Sequence, residues 1–204
     1  MVGAGGHAKV VIATARASAW AHATLQLFDD APQAQGRVLL GVTVQGPSGS
    51  VLANASATAV LALGDNQVRA RLAATARCSF ATLVHQHAVV DASVVLGAGT
   101  VVFAGAIVQP DTMIGEHTII NTGASVDHDC VLGAAVHIAP GARLAGGVTV
   151  GPRSFVGIGA VVIPGVRIGA DVKVGAGAAV VRDVPDGATV VGVPAQPLGA
   201  RRPR

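Results

Sequence analysis

The tripeptide Asp127-His128-Asp129 is the densest concentration of proton-transfer chemistry in the sequence. An imidazole changes charge near neutrality, and a carboxylate beside it holds its tautomer and raises its basicity, which is what a general base needs. The same stretch also carries His117, Asn121 and His137, polar residues on a background of small neutral ones. His85 and His87 stand further upstream, where two units of chain meet, and read as surface or capping groups. His117 reads as a solvated residue.

A second kind of chemistry opens the chain. Residues 3–9 (GAGGHAK) form a glycine-rich turn leading into a helix, which presents free backbone N–H groups and the positive end of the helix dipole to a phosphate. Only Met1 and Val2 precede it, so the strand that normally feeds such a loop is expected to be missing. Asp29 and Asp30 end the next apolar run, where dinucleotide folds place an acidic residue for a ribose hydroxyl. Gly64, Asp65 and Asn66 follow a third run, at the strand ends where open α/β sheets bind ligands.

These groups need scaffolds, and two are legible. From Val84 to Val180 every sixth residue is aliphatic, 17 positions without a slip. A small or β-branched residue precedes each by two, as at Thr100, Ala106, Thr112, Ala124 and Cys130. Six residues suit one short strand plus a turn, and three such units close an 18-residue triangular coil, the hexapeptide signature of a parallel β-helix. The aliphatic residue fills the prism and the small one lets the chain turn. Glycines that follow the aliphatic position, such as Gly97, Gly115 and Gly133, are expected to supply unusual backbone angles. Cys130 occupies an inward slot and reads as core rather than nucleophile. His128, two residues past the core Val126, projects outward, and Gly146 lies one coil further on.

Before the repeat, apolar runs at 25–30, 38–44 and 58–63 read as strands, and 7–23 and 66–76 as helices, with Asp65 an N-cap. Alternating strand and helix predict a Rossmann-like α/β domain over 1–79, then the β-helix over 80–184. Residues 185–204 are a turn, a short strand and a basic tail.

Composition fits this division. Charged residues are 12 % and aromatic ones 2 %, and 27 are glycine, too apolar for disorder and too glycine-poor for collagen. The formal charge of +3 comes entirely from Arg201, Arg202 and Arg204, so no nucleic-acid partner is expected. Cys78 and Cys130 alone argue for a reducing, cytoplasmic setting. Residues 92–110 lack charge over nearly a bilayer's length, but the six-residue beat accounts for them, and no membrane span is predicted.

Residues 3–9, Phe28-Asp29-Asp30, 62–66 (ALGDN), the unbroken hexapeptide repeat, 120–147 and 190–195 (VVGVPA) together resemble the sugar O-/N-acyltransferases of the hexapeptide-repeat class. That family includes sialic-acid O-acetyltransferase-like proteins and N-acetyltransferases of nucleotide-linked amino sugars in bacillosamine and perosamine pathways. The resemblance implies a left-handed helix, homotrimers, and acetyl-CoA lying between subunits. It matches His128 to the catalytic base, Asp129 to its partner, and Gly146 to a thioester-oxygen donor. His137 matches a residue near the acetyl group and Asn121 one near the sugar. Gly5, Gly6 and His7 match the phosphate-side loop, with Asp29, Asp30, Gly64 and Asn66 completing the sugar-nucleotide site. Zinc-bearing carbonic anhydrases share the helix, but they pair two histidines four residues apart. Here the spacings are 11 and 9, and no metal is expected. The expected reaction is direct transfer of an acetyl group from acetyl-CoA to the amine of a nucleotide-linked amino sugar. O-acetylation of a sialic-acid type and a catalytically silent nucleotide-sugar-binding trimer are the alternatives.

Overall fold

The computed structural model describes residues 1–198; the arginine-rich tail lies outside the described residues. The missing first strand is present in minimal form. Val2 pairs in parallel with Phe28 on one side and Leu61 on the other, so residues 1–3 are the central strand of the sheet. Around it run β1 (Leu27–Phe28), β2 (Val38–Leu39), β3 (Val42–Gly46), β4 (Thr58–Ala59) and β5 (Ser79–Phe80). From Val2 the chain winds outward through β1 and β3, then returns to Leu61 and adds β5 beyond β4. The reversal puts a topological switch point at the carboxyl ends of Val2 and Leu61, from which the 3–7 and 63–66 loops emerge.

Several elements differ from expectation, each for a local reason. The run at 38–44 is an antiparallel hairpin, because Leu40 and Gly41 both take left-handed φ (47° and 78°) and turn the chain in two residues. Helix α1 is Gly6–Arg16 and not 7–23. Ser18 Oγ donates to Ala15 O and accepts Trp20 N–H, and Trp20 Nε1 then donates to Thr82 O, drawing the chain away toward the β-helix. A short α2 (Gly49–Leu52) had no sequence signal. Helix α3 is Asn66–Thr75, and Asp65 caps it by accepting Val68 N–H.

The hexads form the predicted prism. Two-residue strands recur every six residues from β6 (Leu83–Val84) to β22 (Ala179–Val180) and stack in three parallel faces. The beat residues from Val102 to Val180 are at most 3 % exposed and form one continuous core. The small inward residues also hold the coils together: Thr100, Thr118 and Ser154 donate to carbonyls 15 residues ahead, and Cys130 Sγ does the same to Ala145 O at 3.3 Å.

The glycines after the beat need correction. Left-handed φ falls two residues later, at Gly99, Gly105, Asp111, His117, Gly123, Asp129, Ala135 and onward through Gly177. Gly97, Gly115 and Gly133 serve close approach instead: a Cβ on Gly115 would lie 2.6 Å from Gly133 C, and one on Gly133 2.7 Å from Pro152 N.

The repeat does not stop at Val180. Val184 bridges to Ile168, and β23 (Thr189–Val191) pairs with β21 (Lys173–Val174), with Val190 opposite Val174. One coil is two residues short, and Val184 and Val190 still enter the core. Residues 185–191 thus belong to the prism, and β24 (Gln196–Pro197) folds back antiparallel on β23.

The α/β domain sits on one prism face, where Leu83, Val101, Phe103 and Ile119 join its apolar core. Arg69 and Asn66, on α3, bolt it down. Asn66 Nδ2 donates to Arg153 O and Ser154 O, each at 3.0 Å.

Candidate active site

His128 lies at a corner between Ser125–Val126 and Val131–Leu132, on the prism edge away from the α/β domain. The corner requires a left-handed residue, and Asp129 takes it at φ 56°. From there its carboxylate meets His128 Nδ1 at 2.7 Å, while Asp127 Oδ1 accepts the His128 N–H at 2.9 Å. The Asp129 hydrogen bond, then the Asp127 charge, raise the His128 pKa above its ordinary value. With Nδ1–H held by the carboxylate, Nε2 is left as the basic atom.

One coil on, a Cβ at Gly146 would stand 2.6 Å from both Cε1 and Nε2 of His128. Only glycine lets the ring lie where it does. The Gly146 N–H donates to no described acceptor, so an N–H and a basic nitrogen share one exposed corner.

A second group gathers beneath the α/β domain. His137 Nε2 is 3.0 Å from Asn121 Nδ2, and its Nδ1 is 3.4 Å from Gly64 O. Asn121 Oδ1 accepts the Thr122 N–H, which turns its amide nitrogen toward His137. That fixes Nε2 as acceptor and Nδ1 as protonated. The His7 ring is 6.2 Å away, centroid to centroid, and Phe155 packs edge-on at 5.1 Å. Burial first, then the charge of Arg69, lowers the pKa of His7 and of His137 to about 4.

The glycine loop lies at the rim of this group. Gly5 caps α1, and the N–H groups of Gly5, Gly6 and His7 have no described acceptor. Gly3 is required by φ 104° and by Leu63 Cδ2, 2.7 Å from a would-be Cβ. Asp29 Oδ2 accepts the Ala4 N–H at 2.6 Å and Oδ1 the Ala31 N–H, so this carboxylate shapes the loop. Asp30 holds Ser48 through its N–H and hydroxyl. The Asn66 side chain is spent on the domain junction.

His128 and the His7–Asn121–His137 group are therefore not brought together within one chain. The first is on the edge joining two faces; the second is on the third face. His117 departs from the solvated reading: it is 7 % exposed, with its ring 4.4 Å from that of Phe80. His85 Nδ1 accepts the His87 N–H, a capping contact. Cys130 is buried, which raises its thiol pKa. Among the described residues no three His, Cys, Asp or Glu side chains cluster to hold a metal, and no helix is long and apolar enough to cross a membrane.

An α/β domain at whose switch point a glycine loop meets a hexapeptide β-helix, with a carboxylate-backed histidine at a coil corner, defines a hexapeptide-repeat acyltransferase. The PglD N-terminal domain model matches residues 1–76, and the bacterial transferase hexapeptide model (six repeats) matches 111–146. A mutant of perosamine N-acetyltransferase from Caulobacter crescentus, solved with CoA and GDP-perosamine, is 46% identical; the match covers 97% of this chain and 95% of that one, with a TM-score of 0.89. The acetyltransferase domain of PglB from Neisseria gonorrhoeae is 38% identical over 97% of both chains, with a TM-score of 0.88. WeeI from Acinetobacter baumannii is 26% identical over 97% of both chains, with a TM-score of 0.84. No curated protein matches the sequence. The chain belongs to the sugar acyltransferase family of hexapeptide-repeat proteins, and its helix is the left-handed parallel β-helix of that class.

Sequence reading missed Arg69. Its only signal was an arginine three residues after Asn66 on a helix, which is indistinguishable from a surface arginine without the coil that covers it.

Proposed function

We propose that this protein transfers the acetyl group of acetyl-CoA directly to the amino group of a nucleotide-linked amino sugar, with His128 as general base. The observation that carries the reading is the His128–Asp129 pair lying against Gly146. The sugar amine attacks the thioester carbon as His128 Nε2 takes its proton. Gly146 N–H donates to the oxygen that becomes negative, a contribution of about 3–4 kcal/mol where such donors have been removed. The tetrahedral species collapses, the C–S bond breaks, and the imidazolium returns the proton to the departing thiolate. The products are the N-acetyl sugar and CoA. Transfer to nitrogen rather than oxygen is supported by the solved N-acetyltransferase bound to CoA and GDP-perosamine at 46% identity.

The active unit is a homotrimer. Each site joins the His128 edge of one subunit to the His7–Asn121–His137 face of the next, since the two groups point away from each other in one chain. Exposed apolar residues on the two uncovered faces, among them Val89, Val95, Met113 and Val131, suit contact between copies. In this arrangement the free N–H groups of Gly5, Gly6 and His7 take the nucleotide-sugar phosphates, with Asp29, Asp30, Gly64 and the Asn66 backbone framing that pocket. His137 and Asn121 face the reacting acetyl and sugar groups. We place the reaction in the cytoplasm, with its soluble co-substrates. The test is CoA release from acetyl-CoA with a panel of amino-sugar nucleotides and their hydroxyl analogues. Release with an amine and not with its hydroxyl counterpart supports the reading; the opposite preference overturns it.

A further inference from the structure

Arg69 is 1 % exposed and, among the described residues, forms no ion pair with a carboxylate. A buried cation is costly unless its donors are satisfied, and here every guanidinium nitrogen has an acceptor. Nε donates to His117 O at 2.7 Å, Nη1 to Leu63 O at 3.0 Å, and Nη2 is shared among Asn66 Oδ1, Ala135 O and Val136 O at 2.9–3.2 Å. These acceptors are not scattered. Leu63 precedes Gly64, whose carbonyl faces His137 Nδ1, and Val136 precedes His137 itself. One guanidinium therefore grips both chain segments that frame the His137 ring.

We propose that Arg69 is a positioning residue for the reaction, whose buried charge and planar fork keep His7 and His137 neutral and His137 in its Nδ1–H form. The inference rests on the reading above that this group faces the reacting sugar and acetyl groups. A lysine in its place has the charge but not the fork; methionine has neither. The surroundings contain little to compensate. His7 on α1, Asn121 and Phe155 on the coils, and the Gly64 carbonyl are the neighbours of His137. Asp65 caps α3, and Glu116 precedes His117 in the coil below. With the guanidinium bound to the carbonyl that precedes His137, protonating either imidazole adds a like charge where burial already disfavours one. A neutral His137 keeps its Nε2 lone pair for Asn121, so the amide is held in one orientation.

The experiment is nitrogen-detected NMR of the histidines in the intact, ligand-free assembly of wild type, R69K, R69M and R69Q, together with the pH profile of kcat/KM. Wild-type His137 should show the Nδ1–H tautomer and titrate near 4. In R69M the titrations of His7 and His137 should rise but stay below the ordinary histidine value, because burial, the larger cause, remains, while R69K holds them low. The acid limb of R69M should then steepen beyond one proton, because His128 and the newly protonating histidines all switch activity off. R69Q, which retains a donor and an acceptor, serves if R69M does not fold. Unchanged titrations in the neutral variants, or a wild-type Nε2–H tautomer, overturn the proposal. If the histidines shift but the profile keeps its wild-type shape, their place at the reacting centre is what falls, and the hold of Arg69 on them stands.

Discussion

Gly146 and His128, 18 residues apart in sequence, are stacked so closely that a single methyl group on Gly146 would stand 2.6 Å from the imidazole Nε2. The coil repeat brings them into register, and the absence of a side chain lets the base and the N–H donor occupy one corner. The φ of Gly146 is not left-handed, so the backbone itself tolerates alanine. Gly146→Ala should therefore fold normally, with a thermal midpoint close to wild type, and lose about 10²–10³ in kcat because the ring and the donor are pushed apart. Steady-state kinetics and a melting curve on the same sample test both halves.

Asp129 raises the His128 pKa, so the acid limb of kcat/KM should lie above the ordinary histidine value. Below that limb the imidazole is protonated and cannot act as base. In Asp129→Asn the limb should move to lower pH while the plateau falls, since the base is weaker and its tautomer less firmly held. The same sign governs stability. A raised folded pKa favours the fold below the unfolded value and loses that benefit as pH rises through the folded one.

Mixing tests the two-subunit site. His128→Ala and His137→Ala subunits should each assemble into inactive trimers. Co-refolded at equal amounts, they should regain about a quarter of the sites under random association, because an intact His128 edge then meets an intact His137 face. No recovery would place both groups in one subunit's site.

Cys130 fills the slot that Thr100, Thr112 and Thr118 fill in other coils, its Sγ donating to Ala145 O. Cys130→Thr should keep turnover near wild type. Ile138→Ala, by contrast, empties a fully buried layer of the prism and should cost about 2–5 kcal/mol in denaturant unfolding.

The prism was legible because each coil is built from contacts that repeat in sequence: a beat residue inward, a small residue before it, 18 residues to the neighbour above. The Asp127-His128-Asp129 corner was legible for the same reason, since the beat alone sets which way His128 points. Arg69 and His117 were not. Their burial comes from the α/β domain lying on the prism, a contact between residues 48 positions apart that no period announces. The glycines after the beat were legible but not their role, because close approach and left-handed φ both select glycine, and only the stacking of the coils separates the two. The short final coil hid itself by dropping two residues, which moves Val184 and Val190 off the count while leaving them in the core.

The most direct test of the account is the rate of CoA release from acetyl-CoA in the presence of a nucleotide-linked amino sugar, measured for wild type and His128→Ala. The wild type should turn over and the variant should lose on the order of 10²–10⁴ in rate, with acceptor binding retained. A variant that turns over within about threefold of wild type, well inside what a general base supplies, would contradict it.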